Sequence, residues 1–203
     1  MASQLSTALL VTGAFAALAY ALGVISRSGA LGGLLVGTTI YASLGARGFA
    51  ILALFVIGGS LLTRLGYGRK QRTGTAQEHG GRRSARNAIA NCAVATLCAL
   101  LAAATGSEPL TAAFVASIGA AFADTAESEI GQLFSRTPRL ITTLRKVPSG
   151  TDGAVSLPGT LAGVAAAGLT SALALAVGML AAPDSALLIT TAAFLGTIAD
   201  SLI

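Results

Sequence analysis

Seven apolar stretches, separated by polar connections, organise this chain: residues 5–25, 30–44, 49–62, 88–104, 110–122, 157–181 and 186–203. A helix needs roughly 20 apolar residues to cross a bilayer, fewer where polar helix ends reach the interface. The pattern predicts an all-α, polytopic transmembrane helical bundle of about seven spans. These spans use most of the 203 residues, so residues 1–203 are expected to form one transmembrane domain with no separate soluble domain. Two polar connections are long, at 66–86 and 135–156.

Charge orients the bundle. With the N-terminus outside, the inner connections carry Arg27; then Arg64, Arg69, Lys70, Arg72, Arg82, Arg83 and Arg86; then Arg136, Arg139, Arg145 and Lys146. That places twelve of the thirteen Lys and Arg residues inside and leaves Arg47 alone outside. Short cytoplasmic loops collect Lys and Arg, so N-out/C-in is expected, with both long loops and any chemistry facing the cytoplasm. The composition, 54% hydrophobic and 10% charged, belongs to the same membrane class. A net charge of +5 does not point to nucleic acid, because it is confined to loops flanked by apolar helices and reads as topology and phosphate attraction. Residues 1–7 lack a basic n-region, so no cleaved signal peptide is expected. Cys92 and Cys98 fall on different faces of one helix, cannot pair, and are expected to be small core residues.

Gly29, Gly33 and Gly37 stand at four-residue spacing, and Gly159, Gly163 and Ala167 repeat the device. Such stripes let helix backbones approach closely. They serve packing within the bundle, a homo-oligomer contact through Gly-rich faces, or a groove for a lipid tail. The loop at 66–84 is Gly-rich and basic and holds the one histidine, His79; it has no Walker A spacing. It is expected to be a flexible, orienting loop, with a phosphate-attracting flap as the sharper alternative, and His79 is expected to be solvated. The loop at 135–156 differs, with four basic residues, a run of hydroxyls and the turn Pro148-Ser149-Gly150-Thr151-Asp152-Gly153. A bend rich in N–H groups beside cations can cradle phosphate oxygens.

Carboxylates inside apolar helices are costly and need a reason. Asp124 and Asp200 each lie fourteen residues into their apolar stretch, at matched depth near the inner face, in the strings Ala123-Asp124-Thr125 and Ala199-Asp200-Ser201. Two such acids can hold Mg²⁺, which takes one or two carboxylates plus substrate phosphates. Glu127 and Glu129 extend the cluster. On an ideal helix Glu127 shares a face with Asp124 while Glu129 lies beneath Thr125, so both reach one ion only if the helix unwinds near Gly131. Asn87 and Asn91, one turn apart, offer amides to metal or ligand. The alternative is that the acids pair with nearby arginines and anchor helix ends. Metal, cations and a hydroxyl-rich turn at the membrane edge together point to phosphoryl chemistry on a membrane-embedded substrate. No Cys/His zinc spacing exists, and one histidine cannot supply a triad base.

The strings Asp124-Thr125-Ala126-Glu127-Ser128-Glu129-Ile130-Gly131, Arg139-Leu140-Ile141-Thr142-Thr143 and the run from Val147 to Gly163 resemble the integral-membrane phytyl-phosphate kinase family over about 119–163. The family pattern is approximately D-T-x-x-S-E-I-G, L-x-T-T and V-P-x-G-T-x-G-[AG]-x-S. By that resemblance Asp124 and Glu129 match its acids, and Thr151 and Gly153 its turn. Glu127 stands where the family has a small residue, Pro158 where its kinase branch often has an acid, and the family usually continues past the element matching Asp200-Ser201-Leu202. The resemblance implies a kinase that transfers a phosphoryl group from a nucleoside triphosphate, CTP favoured, to an isoprenyl monophosphate such as phytyl phosphate. Asp124, Glu129, Lys146 and Asp200 are then the expected catalytic residues, with Mg²⁺ on Asp124, Glu129 and Asp200. Substrate and nucleotide contacts are expected from Asn87, Asn91, Arg139, Thr142, Thr143, Arg145, Ser149, Gly150, Thr151, Asp152, Gly153 and Ser156, with membrane lipids around the helices. A lipid-phosphate cytidylyltransferase and a transporter or channel for an anion or lipid are the alternatives.

Overall fold

Residues 2–77, 79–135 and 137–202 are described in a computed structural model; Arg136, Ile203 and the side chain of His79 lie outside the described residues. The helices are α1 (Ala2–Ala21), α2 (Arg27–Arg64), α3 (Tyr67–Arg72), α4 (Ala85–Thr105), α5 (Glu108–Phe134), α6 (Leu157–Ala176) and α7 (Pro183–Asp200). A 3₁₀ turn spans His79–Gly81, and two short strands, β1 (Arg139–Leu140) and β2 (Ala154–Val155), pair antiparallel. Local sequence starts the helices. Ser26 and Ser156 accept from the N–H groups of Gly29 and Gly159, and Ser84 forms a capping box with Asn87. Proline stands in the first turn of α5, α6 and α7, where its missing N–H costs nothing.

Five helices, α1, α2, α4, α5 and α6, are long and apolar enough to cross a membrane. Large side chains face outward on them, with Leu10 at 73% and Leu31 at 72% exposure, as a surface facing lipid requires. α2 is 38 residues long but reverses at Gly45, whose φ of 67° and ψ of −161° lie in a region open essentially to glycine alone. Its two halves then run back along each other, so that a Cβ on Gly37 would stand 3.3 Å from the Phe49 ring. This resolves the predicted stretches 30–44 and 49–62 into one hairpin with no intervening loop.

Hydrogen bonds define two ends of the bundle. At one, Gln4 reaches the Ala42 carbonyl and Arg47 donates to the Gly178 carbonyl at 3.3 Å. At the other, Arg64 donates to the Leu22 carbonyl at 2.7 Å and the Ser26 N–H to the Arg83 carbonyl at 2.9 Å. Arg47 thus sits at the end opposite the basic loops. The core lies where α2, α4, α5 and α6 meet, around Ile40, Ile51, Phe114, Val115 and Ile118, all fully buried.

Two expectations are corrected. The apolar stretch 110–122 is only part of α5, which continues unbroken past Gly131 to Phe134; the unwinding that would have let Glu127 and Glu129 converge does not occur. The loop at 66–84 is not simply flexible, since it folds into α3 and buries Lys70 to 1% exposure.

Candidate functional site

α5 and α7 lie side by side through small residues: a Cβ on Gly119 would stand 3.2 Å from that of Ala193, and one on Gly196 3.4 Å from that of Ala120. This register carries Asp124 and Asp200 to the same level. Both line a polar cavity of about 680 Å³ and a smaller one of about 230 Å³. Asp200, then Glu127, are the carboxylates whose charges Asp124 feels. Glu127 faces α6, where a Cβ on Gly163 would meet its Cγ at 3.0 Å and one on Gly159 would come within 2.7 Å of its carbonyl oxygen. The Gly159/Gly163 stripe is therefore a packing seam that seats α5.

The larger cavity is roofed by the loop between β1 and α6. The hairpin holds that loop in place through pairing of Arg139 with Val155 and Leu140 with Ala154, and through the Ile141 N–H to the Gly153 carbonyl at 3.0 Å. The Thr151 hydroxyl closes the turn onto the Pro148 carbonyl at 2.8 Å. Gly150 and Gly153 take φ of 87° and 69°, and Gly153 packs so closely on the end of α7 that a Cβ would lie 2.8 Å from the Ser201 carbonyl oxygen. The N–H groups of Ser149, Gly150, Asp152 and Gly153 have no acceptor among the described residues. Unpaired N–H groups in a turn with left-handed residues form an anion-binding concavity.

A second polar cavity, of about 550 Å³, lies on the other side of Asp124. It is walled by Asn87 and Asn91 of α4, by Thr125, Ser128 and Glu129 of α5, and by Gln77, Arg82, Arg83 and Arg86 before and at the start of α4. Asp124 lines all three cavities and stands at their junction. Asn87 accepts from the Ser84 N–H at 3.0 Å, and Asn91 donates to the Asn87 carbonyl at 2.9 Å.

The electrostatics separate the acids. Glu129, 3% exposed, forms an ion pair with Lys70, whose ammonium also donates to the carbonyls of Thr63 at 2.8 Å and Leu62 at 3.1 Å. Burial lowers the pKa of Arg83 from its ordinary value, and its guanidinium lies over the Phe55 ring at 4.7 Å.

The predicted residues divide accordingly. Asp124, Thr142, Ser149, Gly150, Thr151, Asp152, Gly153, Ser156 and Asp200 share the larger cavity, and Asn87, Asn91 and Glu129 line the second. The structure does not bring Glu129 to Asp124 and Asp200 as a third ligand: its carboxylate is held by Lys70, and among the described residues no three His, Cys, Asp or Glu side chains meet in a metal-binding group. Arg139, Thr143, Arg145 and Lys146 do not line the cavities, because Arg139 bridges Lys146 across the hairpin and turns its guanidinium to the Leu144 carbonyl at 2.7 Å, while Arg145 and Lys146 are exposed. The cations on the cavity walls are instead Arg82, Arg83 and Arg86. Their signal in the sequence was three arginines within five residues of Asn87, which counted there only toward orientation. Asp124 and Asp200, in a roomy polar cavity beside unpaired N–H groups, fit a hard cation that arrives with phosphate oxygens.

Three curated proteins are similar to this chain in sequence. An uncharacterized membrane protein of Synechocystis is 39% identical over 83% of this chain and 66% of its own length. The Arabidopsis protein VTE6, chloroplastic, is 34% identical over 80% of this chain and 50% of its own. An uncharacterized membrane protein of Methanocaldococcus jannaschii is 36% identical over 69% of this chain and 57% of its own. The chain thus spans between half and two thirds of the length of these relatives. No solved structure matches it. The integral membrane protein family DUF92 matches residues 10–203, and the chain belongs to that family.

Proposed function

We propose that this protein is a membrane-embedded prenyl-phosphate kinase that converts an isoprenyl monophosphate to its diphosphate at the cytoplasmic membrane edge, with a nucleoside triphosphate as donor. The observation that carries this reading is the meeting of Asp124 and Asp200 beneath a turn whose N–H groups lack partners, in a polar cavity at the end of apolar helices. The family resemblance of the Asp124–Gly131 and Val147–Gly163 strings supports the same activity, and CTP is the favoured donor by that resemblance.

An oxygen of the acceptor monophosphate attacks the γ-phosphorus of the donor. The bond from that phosphorus to the β–γ bridging oxygen breaks, and the nucleoside diphosphate leaves with the electron pair. The attacking oxygen is already ionised at neutral pH, so no strong general base is needed, and positioning with charge neutralisation provides most of the catalysis. The N–H groups of Ser149, Gly150, Asp152 and Gly153 hold donor phosphate oxygens, and the Thr151 hydroxyl, donating to the Pro148 carbonyl, fixes the turn that presents them. Asp124 and Asp200 would hold Mg²⁺, which neutralises phosphate charge when bound. Arg82, Arg83 and Arg86 lend positive potential across Asp124. Glu129 acts at a distance by fixing Lys70 and the end of α2.

The test is turnover of phytyl monophosphate by the purified protein with each of CTP, ATP, GTP and UTP. The wild-type protein is expected to form phytyl diphosphate. Asp124→Asn is expected to lose activity at least a hundredfold while inserting normally, and retained activity would remove the central residue. CTP labelled in the γ or α phosphate distinguishes a kinase, which transfers γ, from a cytidylyltransferase, which transfers α.

A further inference from the structure

Behind the second polar cavity lies a small apolar one, of about 60 Å³, between α1, the two halves of α2, and α4. Its walls include Phe15, Val36, Leu52, Phe55 and Cys92, and Gly33 opens onto it. It meets the polar cavity at Arg83, Ser84 and Asn87, which line both. Arg83 is fixed from both sides by its backbone: its N–H donates to the Val24 carbonyl at 3.1 Å, and its carbonyl accepts from Ser26 at 2.9 Å. The backbone that carries this side chain is therefore held at the junction of the two cavities.

The guanidinium of Arg83 makes no ion pair and no hydrogen bond among the described residues. Glu129 is the acid whose charge it feels, and that carboxylate already belongs to Lys70. Arg83 is half-buried at the junction of the two cavities, and a cation so placed without a counter-charge among the described residues favours an anion that arrives from elsewhere. The planar fork matches phosphate oxygens two at a time. The apolar space directly behind suits a phosphate that carries a hydrocarbon body.

We propose that Arg83 binds the phosphate of the lipid acceptor, with the first carbons of its chain in the apolar cavity between α1, α2 and α4. This rests on the kinase reading and deepens it. Acceptor and donor lie on opposite sides of Asp124, the acceptor headgroup beside Arg83 and Asn87 and the nucleotide phosphates under the turn at 149–153. Asp124 and Ser128, which line both polar cavities, stand where the transferred group crosses. The same phosphate chemistry is available from bulk phospholipid, and the test separates the two sources.

The experiment measures binding to the full chain in detergent micelles, without nucleotide, using phytyl monophosphate, phytol, inorganic phosphate and dioleoyl phosphatidate as probes. Phytyl monophosphate is expected to bind at least tenfold more tightly than each of the others. Arg83→Gln is expected to weaken it about tenfold or more, leaving phytol unchanged, with Arg83→Lys intermediate. Gly33→Leu supplies an independent arm: Gly33 lines the cavity and a Cβ there meets nothing within 4 Å, so the first atom of a larger side chain enters open space. It is expected to weaken phytyl monophosphate about tenfold or more and leave CTP binding intact. Unchanged lipid binding in a folded Arg83→Gln or Gly33→Leu protein would overturn the proposal, as would phosphatidate binding equal to that of phytyl monophosphate. Lipid monophosphate binding through Arg83 without turnover by any nucleotide would defeat the kinase reading and leave this assignment standing. Turnover with an unchanged KM for phytyl monophosphate in Arg83→Gln would do the reverse.

Discussion

Glu129 offers the sharpest separation between a residue that performs chemistry and one that holds the site together. In Glu129→Gln the Lys70 ammonium, 1% exposed, loses its counter-charge and keeps only neutral oxygens, those of the amide and of the Leu62 and Thr63 carbonyls, as partners. Removing one member of a buried pair costs about 3–5 kcal/mol, or roughly two to three and a half decades in the folding equilibrium. By the scaling for soluble chains of this length, about 2–4 °C per kcal/mol, the melting temperature falls by roughly 6–20 °C. Replacing both partners with apolar side chains of similar volume, as in Lys70→Met with Glu129→Leu, removes the stranded charge and is expected to recover most of that loss. Because the chain has no tryptophan, unfolding is followed by a thiol-reactive dye that reports exposure of buried Cys92, with circular dichroism as control. If Glu129 is structural, the double variant regains activity as it regains stability. A double variant that melts like the wild type but stays inactive would refute this reasoning and return Glu129 to the chemistry.

Asp200→Asn removes one of the two carboxylates proposed to hold Mg²⁺ and is expected to raise the Mg²⁺ concentration for half-maximal activity about tenfold or more; an unchanged Mg²⁺ titration would count against its role. Gly45→Ala forces a Cβ into backbone angles reserved for glycine, and a loss of about 1–3 kcal/mol is expected in the same melting assay. Gly159→Ala places a methyl 2.7 Å from the Glu127 carbonyl oxygen and should cost about 1–3 kcal/mol by prying α5 from α6. Gly168→Ala, whose Cβ meets nothing within 4 Å, should be neutral or mildly stabilising, and equal losses at both positions would contradict the packing seam. With Cys92 and Cys98 replaced by alanine, an impermeant maleimide applied to intact cells should label Glu108→Cys but not Arg72→Cys; the opposite pattern would invert the proposed orientation.

Much of the site could be read from local sequence because its parts are local. The turn at 148–153 announces itself through proline and glycine, whose backbone preferences act within a few residues. The matched depth of Asp124 and Asp200 follows from counting along two apolar helices at a fixed rise per residue. The capping serines, and the glycine at which α2 reverses, were also present in the string, although the pattern alone read that reversal as two helices with a connection between them.

Hydrophobic periodicity thus determined that the chain folds as a bundle of apolar helices, and the distribution of acids and turn residues determined which end of it holds the candidate site. Only tertiary structure decided the partners. Glu129 meets Lys70 across 59 residues of sequence, Arg83 is pinned by the connection between α1 and α2, and Arg139, Arg145 and Lys146 are drawn away by a two-stranded hairpin. The helical repeat says which side chains share a face, but not which helix that face will meet; that choice is made by packing small residues against one another, and it assigned Glu129 to an ion pair and left Asp124, Glu127 and Asp200 lining the same cavity.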